Sequence, residues 1–151
     1  MRTPLATLAA LAAVAALGPL ATVAGCSRHG GTDDRAARVD PAQPIPLAAV
    51  TVDELADLLA RKDAQPVDAN TDQTRRRMGV IPGAVLLGDA DSLDKLPADK
   101  ARGLVFYCAN DACSASHHAA RKAIAAGYAR VKILPVGIAG WVKAGKPTAQ
   151  I

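Results

Sequence analysis

Aromatic side chains are nearly absent, with one Phe, two Tyr and one Trp in 151 residues. A core built on large rings is excluded, and alanine must do much of the apolar work. Charge of one sign is also scarce: 18 Lys and Arg stand against 14 Asp and Glu, a formal excess of +4 that is scattered. The one basic run is Arg75-Arg76-Arg77, with Asp72 nearby. Nucleic-acid binding needs a concentrated basic face, so that class is excluded and the run reads as solvated surface. Cysteine occurs at only three positions, 26, 108 and 113. Internal repeats are missing, and the length suffices for one domain but not two.

What is present begins with an unusual start. Arg2 carries a positive charge, and Leu5 to Ala24 follows without a charged residue, interrupted by Gly18-Pro19. A charged start, an apolar middle and a small-residue end read as a secretory signal; a retained membrane span is the rival. Val23-Ala24-Gly25-Cys26 looks like a bacterial lipobox. Small residues before the cut and a thiol after it are what lipidation chemistry needs. Residues 1–25 are therefore expected to be a lipoprotein signal peptide and Cys26 the lipidation site. The product would be exported and anchored to a membrane on the periplasmic or cell-surface side, with Ser27 compatible with the outer membrane. Residues 26–46 are rich in Gly, Asp, Arg, Ala and Pro without a helical or strand period, and read as a flexible tether.

Residues 47–151 alternate short apolar runs with helix-like segments. Strands are expected at Ala48–Val50, Pro66–Ala69, Ala84–Leu87, Leu104–Tyr107 and Val131–Leu134, the fourth being the most apolar and the expected sheet centre. Thr51-Val52-Asp53-Glu54 is a capping box, with Leu55, Leu58 and Leu59 at helical spacing behind it. Helices are also expected over Ser114–Ala126 and Gly137–Ala144; Thr71–Gly79 is a turn or short helix, and Leu93–Lys100 a loop or weak helix. This alternation predicts an α/β fold: a single small domain with a five-stranded parallel sheet flanked by helices.

Cys108 closes the central strand, and Ala109, Asn110, Asp111, Ala112 and Cys113 lead into a helix near Ser114. In open α/β sheets, ligand chemistry collects at strand carboxyl ends. Loop N–H groups and a helix N-terminus form an anion-binding concavity that favours a thiolate. The alternative for Cys108 is a buried packing residue. Asp68 either accepts N–H bonds that buttress the active loop or simply ends its strand. Trp141 and Tyr107 read as core, with Tyr107 pointing away from Cys108 along the strand. His117 and His118 read as exposed helix histidines. A Cys-x4-Cys-x3-His metal site is the rival there, but structural zinc wants four ligands and no others stand out, so no metal is expected.

Several segments occur in the order of a rhodanese-like domain: Val67-Asp68-Ala69-Asn70, Gly79-Val80-Ile81-Pro82-Gly83-Ala84, Val105 to Cys108, Gly127-Tyr128, Gly137 to Trp141 and Gly145-Lys146-Pro147. The resemblance covers about residues 46–151. It implies that Cys108 accepts a sulfane sulfur as a persulfide and passes it to a thiophilic acceptor. The backbone N–H groups of residues 109–114 would be the cradle. It also implies a small sulfur-containing donor and a thiol acceptor as partners, with no cofactor and no nucleic acid, and a monomer is expected. The sequence departs from the family pattern at Asn70, where an arginine is usual, at Val80, where a histidine is usual, and at Val136 before Gly137. The loop holds Asp111 and no Lys or Arg, so a thiosulfate-like dianion would be held less well. It resembles a subgroup with Cys-x4-Cys followed by Ser/Thr-x-Ser. In it Cys113 either resolves an oxidised Cys108 as a disulfide or packs at the helix start.

Three functions follow as alternatives. One is a sulfurtransferase or persulfide carrier on Cys108, another a thiol–disulfide module on Cys108 and Cys113, and the third a non-catalytic binding module. Phosphatases and arsenate reductases of this fold use a longer loop ending in arginine, whereas Cys113 and Ser114 occupy that end here.

Overall fold

The computed structural model describes residues 46–151. The expected signal peptide, the lipidation site at Cys26 and the tether up to residue 45 lie outside the described residues.

β-Branched and aromatic residues make Leu104–Tyr107 the best strand in the chain, and all four side chains are buried. In chain order the elements are β1 (Ala48–Ala49), α1 (Val52–Ala60), β2 (Gln65–Asp68), α2 (Asp72–Met78), β3 (Val85–Leu86), β4 (Leu104–Tyr107), α3 (Ala115–Ala125), β5 (Val131–Ile133) and α4 (Gly137–Lys143). The sheet has five strands in the order β1-β5-β4-β2-β3, so β4 is central, and all pairings are parallel. Parallel pairing demands crossover connections, which bury both faces of the sheet.

Alternation along β4 divides the core in two. Leu104 and Phe106 join Val67, Val131 and Ile133 against Ala119, Ala120 and Ala123 of α3. Val105 and Tyr107 face Leu55 of α1, Ile81, and Ile138 and Trp141 of α4. Three alanines on the buried side of α3 let that helix lie close to the sheet, which is how a chain so poor in rings fills its core. The Tyr107 hydroxyl accepts a hydrogen bond from Ile81 N at 3.0 Å, and Trp141 Nε1 donates to Pro147 O at 2.8 Å. The polar atoms of these two buried rings thus have partners. Burial, and then the Asp68 carboxylate, push the Tyr107 phenol far up.

The capping box is formed: Thr51 Oγ1 accepts from Glu54 N at 3.2 Å, and Glu54 Oε2 accepts from Thr51 N at 2.7 Å. The bond from the Thr51 backbone holds the Glu54 carboxyl below its ordinary value. Thr71–Gly79, open between turn and helix in the sequence, is a helix capped by Thr71. Leu93–Lys100 is loop. The third strand is shorter than expected because Ala84 N turns back to Ile81 O at 3.0 Å, leaving Val85–Leu86 extended.

One surface assignment is corrected. Arg75, the first of the three arginines, is buried at 4% exposure rather than solvated. Helical spacing sends Arg76 and Arg77 outward while Arg75 turns under the sheet edge. Its Nε donates to Asp68 Oδ1 at 3.1 Å, Nη1 to Asp72 Oδ1 at 2.9 Å, and Nη2 to the carbonyls of Asp68 and Leu87 at 3.1 and 2.7 Å.

Candidate active site at Cys108

The carboxyl end of β4 delivers Cys108 onto the α3 side of the sheet, opposite Tyr107. Its side chain is 1% exposed. Residues 109–114 then cross over it to reach α3. Asn110 shapes this crossing: its Oδ1 accepts from Ala112 N at 3.1 Å and its carbonyl from Cys113 N at 3.2 Å. The turn brings Cys113 back over the strand end, where Cys108 and Cys113 are joined as a disulfide with Cα atoms 6.3 Å apart. Cys113 remains partly exposed, whereas Cys108 is buried.

Three further groups meet Cys108 Sγ. The Ser116 hydroxyl, buried on the first turn of α3, donates to it at 3.4 Å. The carbonyl oxygens of Cys113 and Asn110 lie 3.1 and 3.9 Å away. Oxygen lone pairs at that range repel a thiolate, and the N–H groups of residues 112 and 113 are engaged by Asn110. In the disulfide form two loop carbonyls therefore face the sulfur, and the N–H groups of residues 112 and 113 do not contribute to the cradle expected for residues 109–114. Ser114 opens α3 without a side-chain cap, so the first-turn N–H groups have no hydroxyl partner there.

The floor of the loop is the start of α4. Ile138 N donates to Cys108 O at 2.9 Å and Ala139 N to Ala109 O at 3.0 Å. Gly137, at φ +58°, permits this approach, since a Cβ there would stand 2.4 Å from Cys108 O.

Asp68 does not serve the loop. Its Oδ1 accepts from Asn70 N at 2.7 Å and from Arg75, so it buttresses α2 and the end of β2. The guanidinium beside it comes from residue 75, while Asn70, at the position where the family pattern has arginine, supplies only a backbone N–H. His118 lies on the outer side of α3, where its Nε2 and Lys122 Nζ meet Asp91 Oδ1 at 2.9 and 2.7 Å. Those hydrogen bonds, Lys122 first, pull the Asp91 carboxyl down to about 2. Among the described residues, no group of three or more His, Cys, Asp or Glu is placed to hold a metal ion.

Sequence reasoning missed Ser116 as a sulfur partner, Gly137 as the loop's floor and Arg75 as Asp68's partner. The Ser-x-Ser that follows Cys113 was visible, and a serine one helical turn beyond the loop was the available signal for the first. Nothing local signals the other two.

The rhodanese-like domain family model matches residues 51–144. A rhodanese-like domain protein from Staphylococcus aureus is similar in structure, at 28% identity and a TM-score of 0.53 over 63% of this chain and 91% of that one. The rhodanese-like domain of an Anabaena protein matches at 24% identity and a TM-score of 0.56, covering 72% and 80% of the two chains. A thiosulfate sulfurtransferase from Pseudomonas aeruginosa matches at 22% identity and a TM-score of 0.59, over 72% of this chain but 20% of that one. No curated protein matches the sequence.

Proposed function

The chain belongs to the rhodanese-like domain family, and on that premise we propose that it carries sulfane sulfur on Cys108 and hands it to a thiol. The supporting observation is the convergence of Cys113 Sγ and the Ser116 hydroxyl on a sulfur at the end of the central strand. With the disulfide reduced, the Cys108 thiolate attacks the outer sulfur of a thiosulfate-like donor. The donor's S–S bond breaks, sulfite leaves with the electron pair, and a Cys108 persulfide remains. An acceptor thiolate then attacks the terminal sulfur and regenerates the Cys108 thiolate. Alternatively, the Cys113 thiolate attacks the inner sulfur, expels hydrosulfide and closes the Cys108–Cys113 disulfide. That disulfide favours a second reading, a thiol–disulfide module in which sulfur transfer is incidental.

Mass spectrometry separates the two. The reduced protein is mixed with thiosulfate or a polysulfide, and the Cys108 peptide is mapped. Gain of one sulfur atom on Cys108, abolished by Cys108→Ser, is the expected result. An internal disulfide formed without any sulfur gain or hydrosulfide release would select the second reading and overturn the first.

Val23 to Cys26 support an extracytoplasmic setting, with Cys26 carrying the lipid. Cells given a fatty-acid probe should label the wild-type chain and not Cys26→Ala. Equal labelling of both would remove the anchor from the proposal.

A further inference from the structure

A cavity of about 280 Å³, open to solvent, lies on the outer side of the disulfide. That is just below the roughly 300 Å³ at which small-molecule sites begin. Its wall is the face of α3 that carries Ser114, His117 and Arg121, three positions in register along the helix. Cys113 lines it as well. His117 Nδ1 and Arg121 Nε are both shielded from solvent, and neither has a hydrogen-bond partner among the described residues. Arg121 makes no ion pair among those residues, although Asp111 lines the same cavity. The Arg121 Nε–H is a donor without an acceptor among the described residues, and such an orphan marks a place where one is missing. The loop itself holds no Lys or Arg, so Arg121 is the positive charge nearest the cysteine pair along this wall.

We propose that this cavity is the docking site for a small anionic thiol, one bearing a carboxylate or sulfonate, and that the thiol reduces the disulfide by attacking Cys113. The anionic group is held by Arg121, with His117 beside it. Attack falls on Cys113 because that residue lines the cavity and is partly exposed, while Cys108 is 1% exposed. The incoming thiolate forms a bond to Cys113 Sγ, the Cys108–Cys113 bond breaks, and the electron pair leaves on Cys108. The Ser116 hydroxyl, 3.4 Å from that sulfur, donates to the new thiolate. A second thiol then attacks the mixed disulfide on Cys113 and departs as the symmetrical disulfide. Two thiols are oxidised and the protein pair gains two electrons and two protons. The cavity thus has a different task from the cradle that would receive a sulfur donor at Cys108. The inference rests on the disulfide-exchange half of the function proposed above and not on sulfur transfer.

The test uses the full, oxidised chain, with the Cys26 peptide mapped separately. Reduction rates are measured with 3-mercaptopropionate and with 2-mercaptoethanol, each normalised to its thiolate concentration. Acid-quenched samples are mapped for the mixed disulfide. The mixed disulfide should sit on Cys113. Arg121→Gln should lower the ratio of anionic to neutral rates about tenfold, the effect of one charged hydrogen bond discounted for solvent. Arg121→Lys should retain most of that ratio. A mixed disulfide on Cys108, an unchanged ratio in Arg121→Gln, or a wild-type chain holding Cys108 and Cys113 as free thiols after mild oxidation would each overturn the proposal. None of these outcomes bears on whether reduced Cys108 gains sulfur, so the two readings fail independently. Wild-type mapping stands even if a variant does not fold.

Discussion

Arg75→Met should lower the unfolding free energy by about 3–5 kcal/mol, the cost of breaking a buried ion pair by removing one partner. The side chains of Arg75 and Asp68 are 5% and 0% exposed, so solvent does not screen the loss. Asp68 Oδ1 would keep only the Asn70 N–H, and Oδ2 already has no partner among the described residues. The carbonyls of Asp68 and Leu87 would also lose their guanidinium donor. Against a typical total of about 5–15 kcal/mol for a small domain, the change should be evident as a large drop in the urea midpoint. Removing both charges with Arg75→Met and Asp68→Leu should recover a substantial part, because a missing pair costs less than an uncompensated charge. A single variant within about 0.5 kcal/mol of wild type would show that Asp68 finds other partners. The pair also matters to the site, since Asp68 lies in register with Tyr107, the residue before Cys108.

That pair shows where sequence reasoning stops. The strand Leu104–Tyr107 was legible at both ends because four consecutive apolar residues between polar turns have one good solution, a buried strand. The capping box at Thr51 and Glu54 was legible because its partners lie three residues apart. Cys108 at the end of the central strand followed from those two facts about order and period. Arg75 was not legible. A run of three arginines looks like surface, and the burial of Arg75 depends on Asp68 at the end of β2 and Leu87 just after β3 arriving together. Arg121 was missed for the same reason, and His117 was read only as an exposed helix histidine. Arg121 sits two helical turns beyond the loop, and only the helix brings it to the cavity that Cys113 lines. The N–H cradle was inferred from a loop entering a helix, and nothing in the sequence signals that the Asn110 and Cys113 carbonyls face Cys108 Sγ in the disulfide form. Local pattern reads elements; long-range partners and loop orientation have no local signal.

Gly137→Ala should be the substitution most damaging to the site among those that leave every reactive group in place. At φ +58° an alanine bears a backbone cost of about 1–2 kcal/mol. Its Cβ would also stand 2.4 Å from Cys108 O, 2.7 Å from Ala109 C and 2.8 Å from Ala109 O. All three are backbone atoms, so nothing flexible can give way. Either α4 or the loop must shift, and the bonds from Ile138 N and Ala139 N to Cys108 O and Ala109 O are lost or stretched. Displacing a reacting group by about 1 Å costs up to about a hundredfold in rate, so sulfur gain by reduced Cys108 should fall about ten- to a hundredfold. Gly145→Ala is the control. It has a similar φ of +70°, but a Cβ there would meet nothing within 4 Å. It therefore isolates the backbone cost of about 1–2 kcal/mol and should leave sulfur gain close to wild type. Thermal melts and adduct formation on both variants measure the difference. If the two alanines behave alike, the close approach of α4 to the loop does not position Cys108, and the floor assigned to Gly137 is only a turn.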